Sequence, residues 1–448
     1  MLAETTEVYL AELARGLATL DRGAILALAE ALMRARREGR QVLLMGNGGS
    51  ASLASHMAND LNKLVVPGQA RWRALSLSDN VPLLTAWAND VAYDQVFAEQ
   101  LRNLCRPGDL VVAASCSGNS ADVLEGLRAA RELGAATAGL TGDEGGPLAG
   151  MVDLCIRAPA RTLGQQETLH LALDHLLAGL LRGWVEEIAR RAARPPKALV
   201  LAAGEGTRLR PLTLNLPKAM VPVAGQPLLA HTLAWLAQHG IREVAINLHH
   251  CPEAITDFFG DGSASGMRIT YSYEDRLLGT AGAARRLASF LGDGPFLVVY
   301  GDVLTDLDLA ALLRLHHERA VVEPGAAATL ALYRVPNPTE VGLVGLDASG
   351  RVTRFQEKPR PEEVFTDLAN AGVLVAEPAV LDAIPDGEFA DFGLDVLPSL
   401  LAAGAPLYGW AIPEGTYLLD IGSPEKHMQA QREWPARPRA RRQQGILG

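Results

Sequence analysis

The sequence predicts an α/β protein of two successive domains, the first with a parallel sheet and the second with a mixed sheet. Its 448 residues are too many for one ordinary core, so length alone suggests two or three domains. Short apolar segments alternate with helical patterns in both halves, which is typical of parallel sheets covered on both faces. A proline pair at 195–196 separates a long helical pattern from a new apolar strand.

The elements follow this pattern in order. In the N-terminal half, the expected buried strands are QVLLMG, RALSLS, DLVVAAS and AATAGLTG. The C-terminal half begins with the strand ALVLAAG, continues with EVAINL and FLVVYGD, and later becomes richer in strands with AATLALYRV, GLVGLD and VTRFQEK. We therefore expect domains at residues 1–193 and 197–432. The tail, residues 433–448, is basic and broken by prolines, and is expected to be disordered.

Composition excludes several classes of protein. The sequence contains no run of 18 apolar residues, so no membrane span is expected. The N-terminus is acidic and amphipathic, unlike a signal peptide. The 4 cysteines show no paired spacing, which indicates a reducing, cytoplasmic setting. A net charge of -10 argues against a nucleic-acid-binding surface.

A glycine-rich loop follows the first strand of the C-terminal half. Gly204 and Gly206 would let the backbone approach a ligand, and free N–H groups in such a turn bind phosphate oxygens. The loop lacks the Lys-Ser/Thr of a P-loop, and an ordinary strand-to-helix turn would explain it equally well. Lys218 follows in a chain that has 41 Lys plus Arg but writes only Lys63, Lys197, Lys218, Lys358 and Lys426 as lysine. A compact ammonium, rather than a planar guanidinium, is indicated at Lys218, and the alternative is a solvated surface lysine.

Five ordered motifs resemble the signature of the sugar-1-phosphate nucleotidyltransferases over about residues 197–432. They are GEGTRLRPLT with PKAMVPV, LGTAG at 278–282, VYGDV at 299–303, FQEKP with NAGVLV at 355–375, and YLLDIGSPEKH at 417–427. The resemblance implies a Rossmann-like domain that transfers a nucleotidyl group from a nucleoside triphosphate to a sugar 1-phosphate. It also implies substrate contacts at Gly204, Gly206, Thr207, Gly279, Thr280, Glu357, Lys358, Asn370 and Gly372.

The chemistry of such a transfer explains the charged residues. Two anions that repel must be aligned and neutralised, and no covalent nucleophile is needed. The resemblance implies that Asp302 and Asp420 hold Mg²⁺, which prefers carboxylate oxygens. It implies that Arg208 stabilises the leaving pyrophosphate, that Lys218 contacts the triphosphate and that Lys358 contacts the sugar phosphate. The alternative for both aspartates is turn chemistry.

The N-terminal half has two loops that suit a phosphate. One is GNGGSA, in which Ser50 is a predicted helix N-cap, and the other is SGNSADV. Hydroxyl and N–H groups at the start of a helix favour phosphate binding. His56 and Asp60 lie four residues apart, on one helix face. Glu167 and His175 fall on a later helix.

Together with WANDVAYDQVF, these segments resemble the sugar isomerase (SIS) fold, and within it phosphoheptose isomerase, over about residues 5–190. The resemblance implies a parallel-sheet sandwich that interconverts sedoheptulose 7-phosphate and D-glycero-D-manno-heptose 7-phosphate. It implies substrate contacts at Asn47, Gly48, Ser50, Asn89, Asp90, Ser115, Ser117 and Ser120. It also implies a zinc-and-catalysis cluster of His56, Asp60, Glu167 and His175, in which Asp60 and His175 are the acid and base.

Three residues depart from the isomerase pattern. Asp60 stands where the family usually has glutamate, Glu167 where it usually has glutamine, and Cys116 where it usually has threonine. The metal is then either lost or held differently, although two histidines and two carboxylates remain a reasonable set for Zn²⁺. Because SIS domains also occur as non-catalytic sugar-phosphate sensors, a regulatory or oligomerisation module stays an alternative.

The two halves together predict a bifunctional enzyme of nucleotide-activated heptose synthesis. The transferase would act on D-glycero-α-D-manno-heptose 1-phosphate, with GTP favoured as the nucleotide, and the alternative sugar is mannose 1-phosphate. The expected cofactors are Mg²⁺ for the transferase and Zn²⁺ for the isomerase. Related isomerases build their sites between subunits, and the N-terminal helical pattern is amphipathic, so a homo-oligomer, with a tetramer favoured, is expected.

Overall fold

The computed structural model describes residues 2–437, and side chains from Thr6 onward. Contacts divide the chain between Ala189 and Arg190 into two compact units. In the described part of the chain, no helix is both long enough and apolar enough to cross a membrane.

The first unit contains a five-stranded sheet in which every pairing is parallel. Its strands are β1 Gln41–Gly46, β2 Arg73–Ser76, β3 Leu110–Ser115, β4 Ala136–Gly142 and β5 Leu154–Ala158, in the spatial order β2-β1-β3-β4-β5. The four predicted strands and the predicted parallel sheet are confirmed. The fifth strand, at the edge beside β4, was not predicted.

Helices cover both faces of this sheet. They are α1 Leu2–Thr19, α2 Arg22–Arg37, α3 Gly49–Lys63, α4 Val81–Asp90, α5 Ala98–Leu104, α6 Ala121–Glu132, α7 Gly146–Ala149 and α8 Leu163–Ala192. Val42, Leu43, Leu44 and Met45 of β1 are all at most 1% exposed. Because successive strand residues point to opposite faces, such continuous burial requires cover on both sides.

The start of α3 corrects one local prediction. The N-cap is Gly48, with φ 55°, and not Ser50. Ser50 is the second residue of the helix and is buried. A Cβ on Gly46 would lie 2.8 Å from Ser50 atoms, so β1 and α3 meet closely at this turn. The positive φ of Gly48 makes the turn, which leaves the Ser50 hydroxyl inside rather than over the helix end.

The second unit contains a mixed nine-stranded sheet. The strands of this unit are β6 Lys197–Leu201, β7 Pro222–Val223, β8 Gln226–Pro227, β9 Glu243–Leu248, β10 Arg268–Tyr273, β11 Phe296–Tyr300, β12 Val303–Thr305, β13 Ala328–Arg334, β14 Gly342–Leu346, β15 Val352–Glu357, β16 Leu368–Ala376, β17 Leu407–Ala411 and β18 Leu418–Asp420. The sheet runs β10-β9-β6-β11-β16-β13-β17, and β14 with β15 forms a hairpin beside β16. Strands β10, β9, β6 and β11 are parallel, whereas β16 is antiparallel to β11. The predicted mixed sheet is confirmed.

Two apolar clusters cover the faces of this second sheet. Leu297 and Val299 of β11 belong to one cluster, and Phe296 and Val298 belong to the other. The helices of the unit are α9 Leu228–Gln238, α10 Glu253–Phe259, α11 Gly279–Arg286, α12 Ala288–Leu291, α13 Leu309–Val322, α14 Ala379–Asp382, α15 Leu397–Ala402 and α16 Pro424–Glu433. Because apolar side chains cover both faces of the sheet, polar ligand-binding residues are expected at the ends of its strands.

The end of the described chain corrects the predicted tail. Residues 433–437 were expected to be disordered, but α16 extends to Glu433 and a 3₁₀ turn follows at Trp434–Ala436. Trp434 is 2% exposed and packs in a cluster with Leu209 and Ile421. The burial of Trp434 orders this segment, although its prolines and arginines are typical of a disordered tail. Residues 438–448 of the predicted tail lie outside the described residues.

Candidate functional site

Three of the five predicted transferase motifs meet at the carboxyl ends of β6 and β11. They are GEGTRLRPLT with PKAMVPV, LGTAG and VYGDV, and they line a cavity of about 240 Å³. Of the residues predicted to bind substrate or metal, the cavity wall includes Gly204, Lys218, Gly279, Thr280 and Asp302. Parallel strands end at the same edge of the sheet, so motifs far apart in sequence converge here.

Asn247 and Glu274, which were not predicted, also line this cavity. Both side chains are buried. The Asn247 oxygen accepts from the Ala202 N–H at 2.8 Å, and its amide donates to Glu274 Oε1 at 2.9 Å. Glu274 Oε2 accepts from the N–H of Leu278 at 3.0 Å. This chain of hydrogen bonds ties the glycine-rich loop to the loop before α11. A polar residue inside the apolar segment EVAINL was the available sequence signal.

Asp302 and Asp420 are brought together by the short pairing of β12 with β18. Val303 is the register partner of Asp420, and the N–H of Ile421 donates to the Asp302 carbonyl at 2.9 Å. Lys218 forms an ion pair with Asp302, and its Nζ lies 3.7 Å from Asp420 Oδ1. Lys218 is therefore not a solvated surface lysine, since its side chain is only 13% exposed.

A second lysine, Lys426, approaches the same aspartate from α16. Its Nζ lies 3.5 Å from Asp420 Oδ2. No function was predicted for Lys426, although the small number of lysines in the sequence was a signal. Three of the five lysines, Lys218, Lys358 and Lys426, now fall in or beside the transferase motifs.

The carboxylates have the chemistry that a hard cation requires. Burial raises the pKa of Asp420, the charge of Asp302 raises it further, and Lys218 and Lys426 oppose this. Within the described residues, Asp420 Oδ1 is buried and makes no hydrogen bond. Two facing carboxylates, one of which has an oxygen without a hydrogen bond, fit the oxygen ligands that Mg²⁺ prefers. The predicted pair is thus assembled, and its role in binding Mg²⁺ stays a prediction.

Arg208 lies next to this pair, on the 3₁₀ turn Thr207–Leu209. A Cβ on Gly422 would meet both Arg208 Nη2 and Asp420 Oδ2 at 3.2 Å. Gly206, with φ 62°, is crowded against the other cation, since its Cβ would lie 3.0 Å from the Cβ of Lys218. The loop residues Gly204 and Thr207 are exposed. The loop thus carries an exposed guanidinium to the carboxylate pair.

Three predicted contact residues have structural partners. A Cβ on Gly279 would lie 2.3 Å from the Ala390 carbonyl oxygen, and one on Gly372 would lie 3.1 Å from Tyr300. The Thr280 hydroxyl donates to Asp391 at 2.9 Å and accepts from the N–H of Phe392 at 2.8 Å. Packing alone therefore explains both glycines and the threonine, and their contacts with substrate stay predictions.

The predicted sugar-phosphate residues lie along β15 and β16. Lys358 is exposed and holds a positive φ of 43°. Burial raises the pKa of Glu357, although the charge of Lys358 opposes this. The Asn370 oxygen accepts from the N–H of Gly372 at 3.2 Å. None of these residues lines the cavity described above.

In the first unit, the predicted phosphate-binding serines converge at the start of α6. Ser120 is the N-cap of this helix. The Ser115 hydroxyl lies 3.2 Å from that of Ser120 and 3.5 Å from that of Ser117. Gly118, with φ 62°, lets this loop touch the next one, because its Cβ would lie 2.1 Å from the carbonyl oxygen of Gly145. Three hydroxyls at a helix N-terminus form a surface suited to phosphate.

Of the residues predicted to contact the sugar, one is held by hydrogen bonds to other side chains and three are exposed. The Asn47 amide donates to both oxygens of Asp122, at 2.9 and 2.8 Å, and its oxygen accepts from Tyr93 at 3.1 Å. Gly48 is exposed, and its Cβ would meet no atom within 4 Å. Asn89 and Asp90 are exposed at the end of α4 and hydrogen-bond to each other. Asn47 is thus fixed, while the other three face open space.

His56, Asp60 and His175 form a compact cluster between α3 and α8. One ligand atom from each lies within 4.8 Å of the others. The Nε2 atoms of the two histidines are 3.0 Å apart, and His56 Nε2 lies 3.6 Å from Asp60 Oδ2. His175 is exposed. Two imidazoles and a carboxylate whose ligand atoms converge match the ligands of Zn²⁺.

Glu167, the fourth predicted ligand, is not part of this cluster, and its role as a ligand stays a prediction. A Cβ on Gly49 would lie 2.2 Å from Glu167 Oε1. Glu167 therefore faces the first residue of α3, whereas His175 faces His56, two turns farther along. Eight residues on one helix span about 12 Å, and that separation keeps Glu167 beside the start of α3.

Asp174 lies beside the cluster instead and was not predicted. It is 3% exposed, and its Oδ2 atom lies 3.9 Å from His56 Nε2. Among the described residues, this oxygen has no hydrogen-bond partner. Burial raises the pKa of Asp174 to about 6, the charge of Asp60 adds to this, and the two histidines oppose it. A buried carboxylate oxygen without a partner fits a nearby cation.

Cys116, between the phosphate-suited serines, lies near Glu167. Burial raises the pKa of this thiol to about 11, with a further contribution from the charge of Glu167. A raised thiol pKa disfavours the thiolate form, which is the reactive one.

Comparison with known proteins assigns both units. Residues 197–436 match the nucleotidyl transferase family and residues 8–142 match the SIS domain. UTP–glucose-1-phosphate uridylyltransferase of Synechocystis sp. is 37% identical over 247 residues, which are 52% of this chain and 62% of that protein. Mannose-1-phosphate guanylyltransferase of Mycobacterium tuberculosis is 42% identical over 229 residues, which are 51% of this chain and 61% of that protein. Phosphoheptose isomerase of Rhodospirillum rubrum is 44% identical over 145 residues, which are 32% of this chain and 77% of that protein.

The chain spans about three fifths of the length of the curated transferases that it matches. The nucleotidyl transferase match covers more than half of this chain, and the isomerase match covers more than two thirds of its relative. The chain therefore belongs to the nucleotidyl transferase family, and it carries an N-terminal SIS domain homologous to phosphoheptose isomerase.

Proposed function

We propose that this chain is a bifunctional enzyme of nucleotide-activated heptose synthesis. The SIS unit isomerises sedoheptulose 7-phosphate to D-glycero-D-manno-heptose 7-phosphate. The second unit transfers GMP from GTP to D-glycero-α-D-manno-heptose 1-phosphate and releases pyrophosphate. The observation that carries the proposal is the presence, in each unit, of a separate cluster of charged or titratable side chains beside a loop suited to phosphate.

In the transfer reaction, a phosphate oxygen of the sugar 1-phosphate attacks the α-phosphorus of the triphosphate, and pyrophosphate leaves. Lys218, held between Asp302 and Asp420, would contact the triphosphate. Arg208, beside Asp420, would stabilise the charge of the leaving pyrophosphate. Mg²⁺, when held by the two aspartates, would supply further neutralisation of the phosphates.

Substrate alignment would use Gly204 in the cavity wall and Lys358 outside it. Exposed Gly204 would admit a phosphate close to the backbone, because no protein atom lies within 4 Å of a Cβ built there. Lys358, exposed at the end of β15, would hold the phosphate of the sugar. Alignment of this kind removes much of the entropic barrier between two repelling anions.

In the isomerisation, a base removes a proton from the carbon next to the carbonyl and returns it at the neighbouring carbon. Asp60 and His175, which belong to one cluster, would share this transfer, each contributing roughly 10²–10⁴-fold. The hydroxyls of Ser115, Ser117 and Ser120 would hold the 7-phosphate at the start of α6. Zn²⁺, when held by His56, Asp60 and His175, would polarise the carbonyl group.

The choice of nucleotide and sugar is part of the proposal. The named guanylyltransferase of Mycobacterium tuberculosis is 42% identical in the matched region, which favours GTP. The named uridylyltransferase of Synechocystis sp. is 37% identical, so UTP is the competing nucleotide. Heptose is favoured over mannose or glucose because the same chain carries the isomerase-like unit, whose homologue acts on heptose phosphates.

One observation favours a second candidate function. Glu167 lies outside the histidine cluster, so the SIS unit departs from the expected ligand arrangement. In this candidate the SIS unit binds a sugar phosphate without converting it and regulates a transferase for another sugar, such as mannose 1-phosphate.

We also propose that the protein is a homo-oligomer, with a tetramer favoured. Helix α1 leaves Val8 and Leu10 more than half exposed. Helix α4 is apolar, yet it has no buried residue, and Val81 is 60% exposed. Exposed apolar residues grouped on two helices favour association with other copies. A monomeric mass by light scattering at micromolar concentration would contradict this proposal.

The direct experiment is product identification. Purified protein is incubated with Mg²⁺ and each combination of GTP, UTP, ATP and dTTP with heptose, mannose and glucose 1-phosphates, and separately with sedoheptulose 7-phosphate. Mass spectrometry should find GDP-heptose in the first set and an aldoheptose phosphate, separated by chromatography, in the second. A transferase that prefers another sugar, together with an unchanged ketose, supports the regulatory candidate instead.

A further inference from the structure

A second cavity of the C-terminal unit plays no part in the proposed reaction. Its volume is about 720 Å³, and among the described residues it shares no wall residue with the transferase cavity. Its charged wall residues are three arginines and two aspartates: Arg276, Arg285, Arg286, Asp275 and Asp386. This arginine cavity therefore carries a positive charge in a chain whose net charge is -10. Such a local charge favours an anionic ligand.

The protein itself uses only part of the hydrogen-bonding capacity of these arginines. Arg276 donates to a main-chain carbonyl at 2.7 Å. Arg285 donates to the Leu381 carbonyl at 3.3 Å and lies 3.8 Å from a carboxylate oxygen of Asp382, whose side chain is 84% exposed. Arg286 is exposed, and no described residue forms a hydrogen bond or an ion pair with its side chain. Each guanidinium group has several N–H donors, so most donors of the wall remain available to a ligand.

The stability of α11 does not by itself explain this group of arginines. Arg285 and Arg286 lie in the last turn of α11, where positive side chains stabilise a helix. Arg276, however, lies before α11 begins, and it lines the same cavity. The three guanidinium groups thus reach one cavity from two different segments.

We propose that the arginine cavity is a further ligand site of the transferase unit, for a small molecule that carries adjacent phosphate groups. A guanidinium group can bind two phosphate oxygens at once through parallel N–H donors. Several such groups on one wall suit a diphosphate better than a single carboxylate. A volume of about 720 Å³ lies within the usual range of small-molecule sites.

The segment 387–391 connects the arginine cavity with the transferase cavity. At one end, the Gly387 carbonyl accepts from Arg276 in the arginine cavity. At the other end, Phe389 and Asp391 line the transferase cavity. Between them, the Ala390 carbonyl accepts from two N–H groups in the first turn of α11, at 2.9 and 3.1 Å. A ligand that draws Arg276 away from Gly387 would release one end of this segment and weaken substrate binding at the other, which would couple the two sites.

Binding is tested by calorimetric titration of the full-length protein with inorganic pyrophosphate, without Mg²⁺ and at constant ionic strength, since salt screens such contacts. All proteins carry Lys218→Gln, which removes a charge from the proposed triphosphate contact. Adding Arg286→Gln should weaken pyrophosphate binding by about fivefold or more, because a charge-assisted contact is lost. Adding Arg314→Gln, the matched control at an exposed position of α13, should change it by less than about twofold. Equal affinities in these two proteins overturn the site.

A second titrant distinguishes two sources of the phosphate groups. GDP is titrated into the same proteins. Tighter binding of GDP than of pyrophosphate, lost with Arg286→Gln, assigns the cavity to an organic diphosphate. Equal binding assigns it to the phosphate groups alone. Both results support the site, whereas binding of neither titrant overturns it.

Kinetics test the coupling between the two cavities. Arg276→Gln, which removes the contact with Gly387, should lower kcat/KM of the transferase by about threefold or more while kcat changes little, because substrate binding and not the chemical step is affected. Arg276→Lys, which retains a donor, should keep kcat/KM near that of the wild type, and circular dichroism verifies folding. A wild-type kcat/KM in a folded Arg276→Gln protein overturns the coupling.

The inference and the proposed function fail separately, since the binding measurement needs no sugar substrate. A protein that binds pyrophosphate through Arg286 but makes no GDP-heptose retains the site and overturns the substrate assignment. A protein that makes GDP-heptose, and binds pyrophosphate equally well with and without Arg286→Gln, retains the function and overturns the site.

Discussion

Lys218 should be irreplaceable by arginine in nucleotidyl transfer. Its ammonium pairs with Asp302 and lies 3.7 Å from Asp420 Oδ1, on a side chain that is 13% exposed. The stem is also confined, because a Cβ on Gly206 would approach the Cβ and Cγ of Lys218 to 3.0 and 3.2 Å. A broad, planar guanidinium cannot occupy the same point between two carboxylates as a compact ammonium.

The magnitude follows from the charge geometry. At an effective dielectric constant of 20, unit charges about 4 Å apart interact by about 4 kcal/mol. Removal of one positioned donor from a transition state typically costs about 10²–10³-fold in kcat. We therefore expect Lys218→Gln to lower kcat by about 10²–10³-fold, and Lys218→Arg, which keeps the charge but displaces it, to lower kcat at least tenfold.

The assay is pyrophosphate release at saturating Mg²⁺, with circular dichroism to verify folding. Lys63→Arg, at an exposed position in the other unit, is the control and should retain wild-type kcat. A Lys218→Arg enzyme with kcat within threefold of the wild type would refute the argument from compact charge.

A pH profile tests the same contact independently. The charge of Lys218 lowers the pKa of Asp420, which burial and Asp302 raise. Without the ammonium, this pKa rises further, so the ionised carboxylates needed for a cation form only at higher pH. The acidic limb of kcat/KM should therefore move to higher pH in Lys218→Gln. An unmoved limb would show that Lys218 does not influence the ionisation of the aspartate pair.

The other predictions concern separate regions. Asp302→Asn should abolish transfer and His175→Ala should abolish isomerisation, each sparing the other activity to within about threefold because distant sites act independently; loss of transfer alone in His175→Ala would refute the bifunctional assignment. Gly279→Ala should destabilise the protein by roughly 1–3 kcal/mol, measured by denaturant unfolding, because φ is 76° and the Cβ would lie 2.3 Å from the Ala390 oxygen. Gly204→Ala should leave stability unchanged and raise the KM for nucleotide, since its Cβ meets no protein atom within 4 Å. Burial lowers the pKa of His317 to about 4, so folding loses up to about 3 kcal/mol as pH falls from the unfolded value near 6.5 toward 4; His317→Gln should show a smaller loss of melting temperature over that range.

Local patterns predicted the sheets because burial on both faces leaves a direct mark on composition. Runs such as QVLLMG and FLVVYGD can be continuous and apolar only where both faces are covered. The edge strand Leu154–Ala158 escaped prediction because its burial is uneven. The tail was mispredicted at residues 433–437 because Trp434 packs against Leu209 and Ile421, which are distant in sequence.

The charged residues of the transferase site could be predicted where each of them lies within a recognisable motif. Lys218, Asp302 and Asp420 each stand in a separate motif, and the pairing of β12 with β18 brings the two aspartates together. Lys426 and the Asn247–Glu274 pair were not predicted. Their importance lies in partners at long sequence separation, which no local pattern reveals.

In the SIS unit, one of the four predicted zinc ligands lies apart from the other three. Alignment on His175 assigns the second carboxylate to Glu167, eight residues earlier. Helix α3 then decides which turn of α8 can face His56, and it selects the turn that carries His175 and Asp174. Glu167 is left opposite Gly49, where it contributes to the raised pKa of Cys116. Three converging ligand atoms remain at His56, Asp60 and His175, so the separation of Glu167 from them does not by itself remove the proposed Zn²⁺ site.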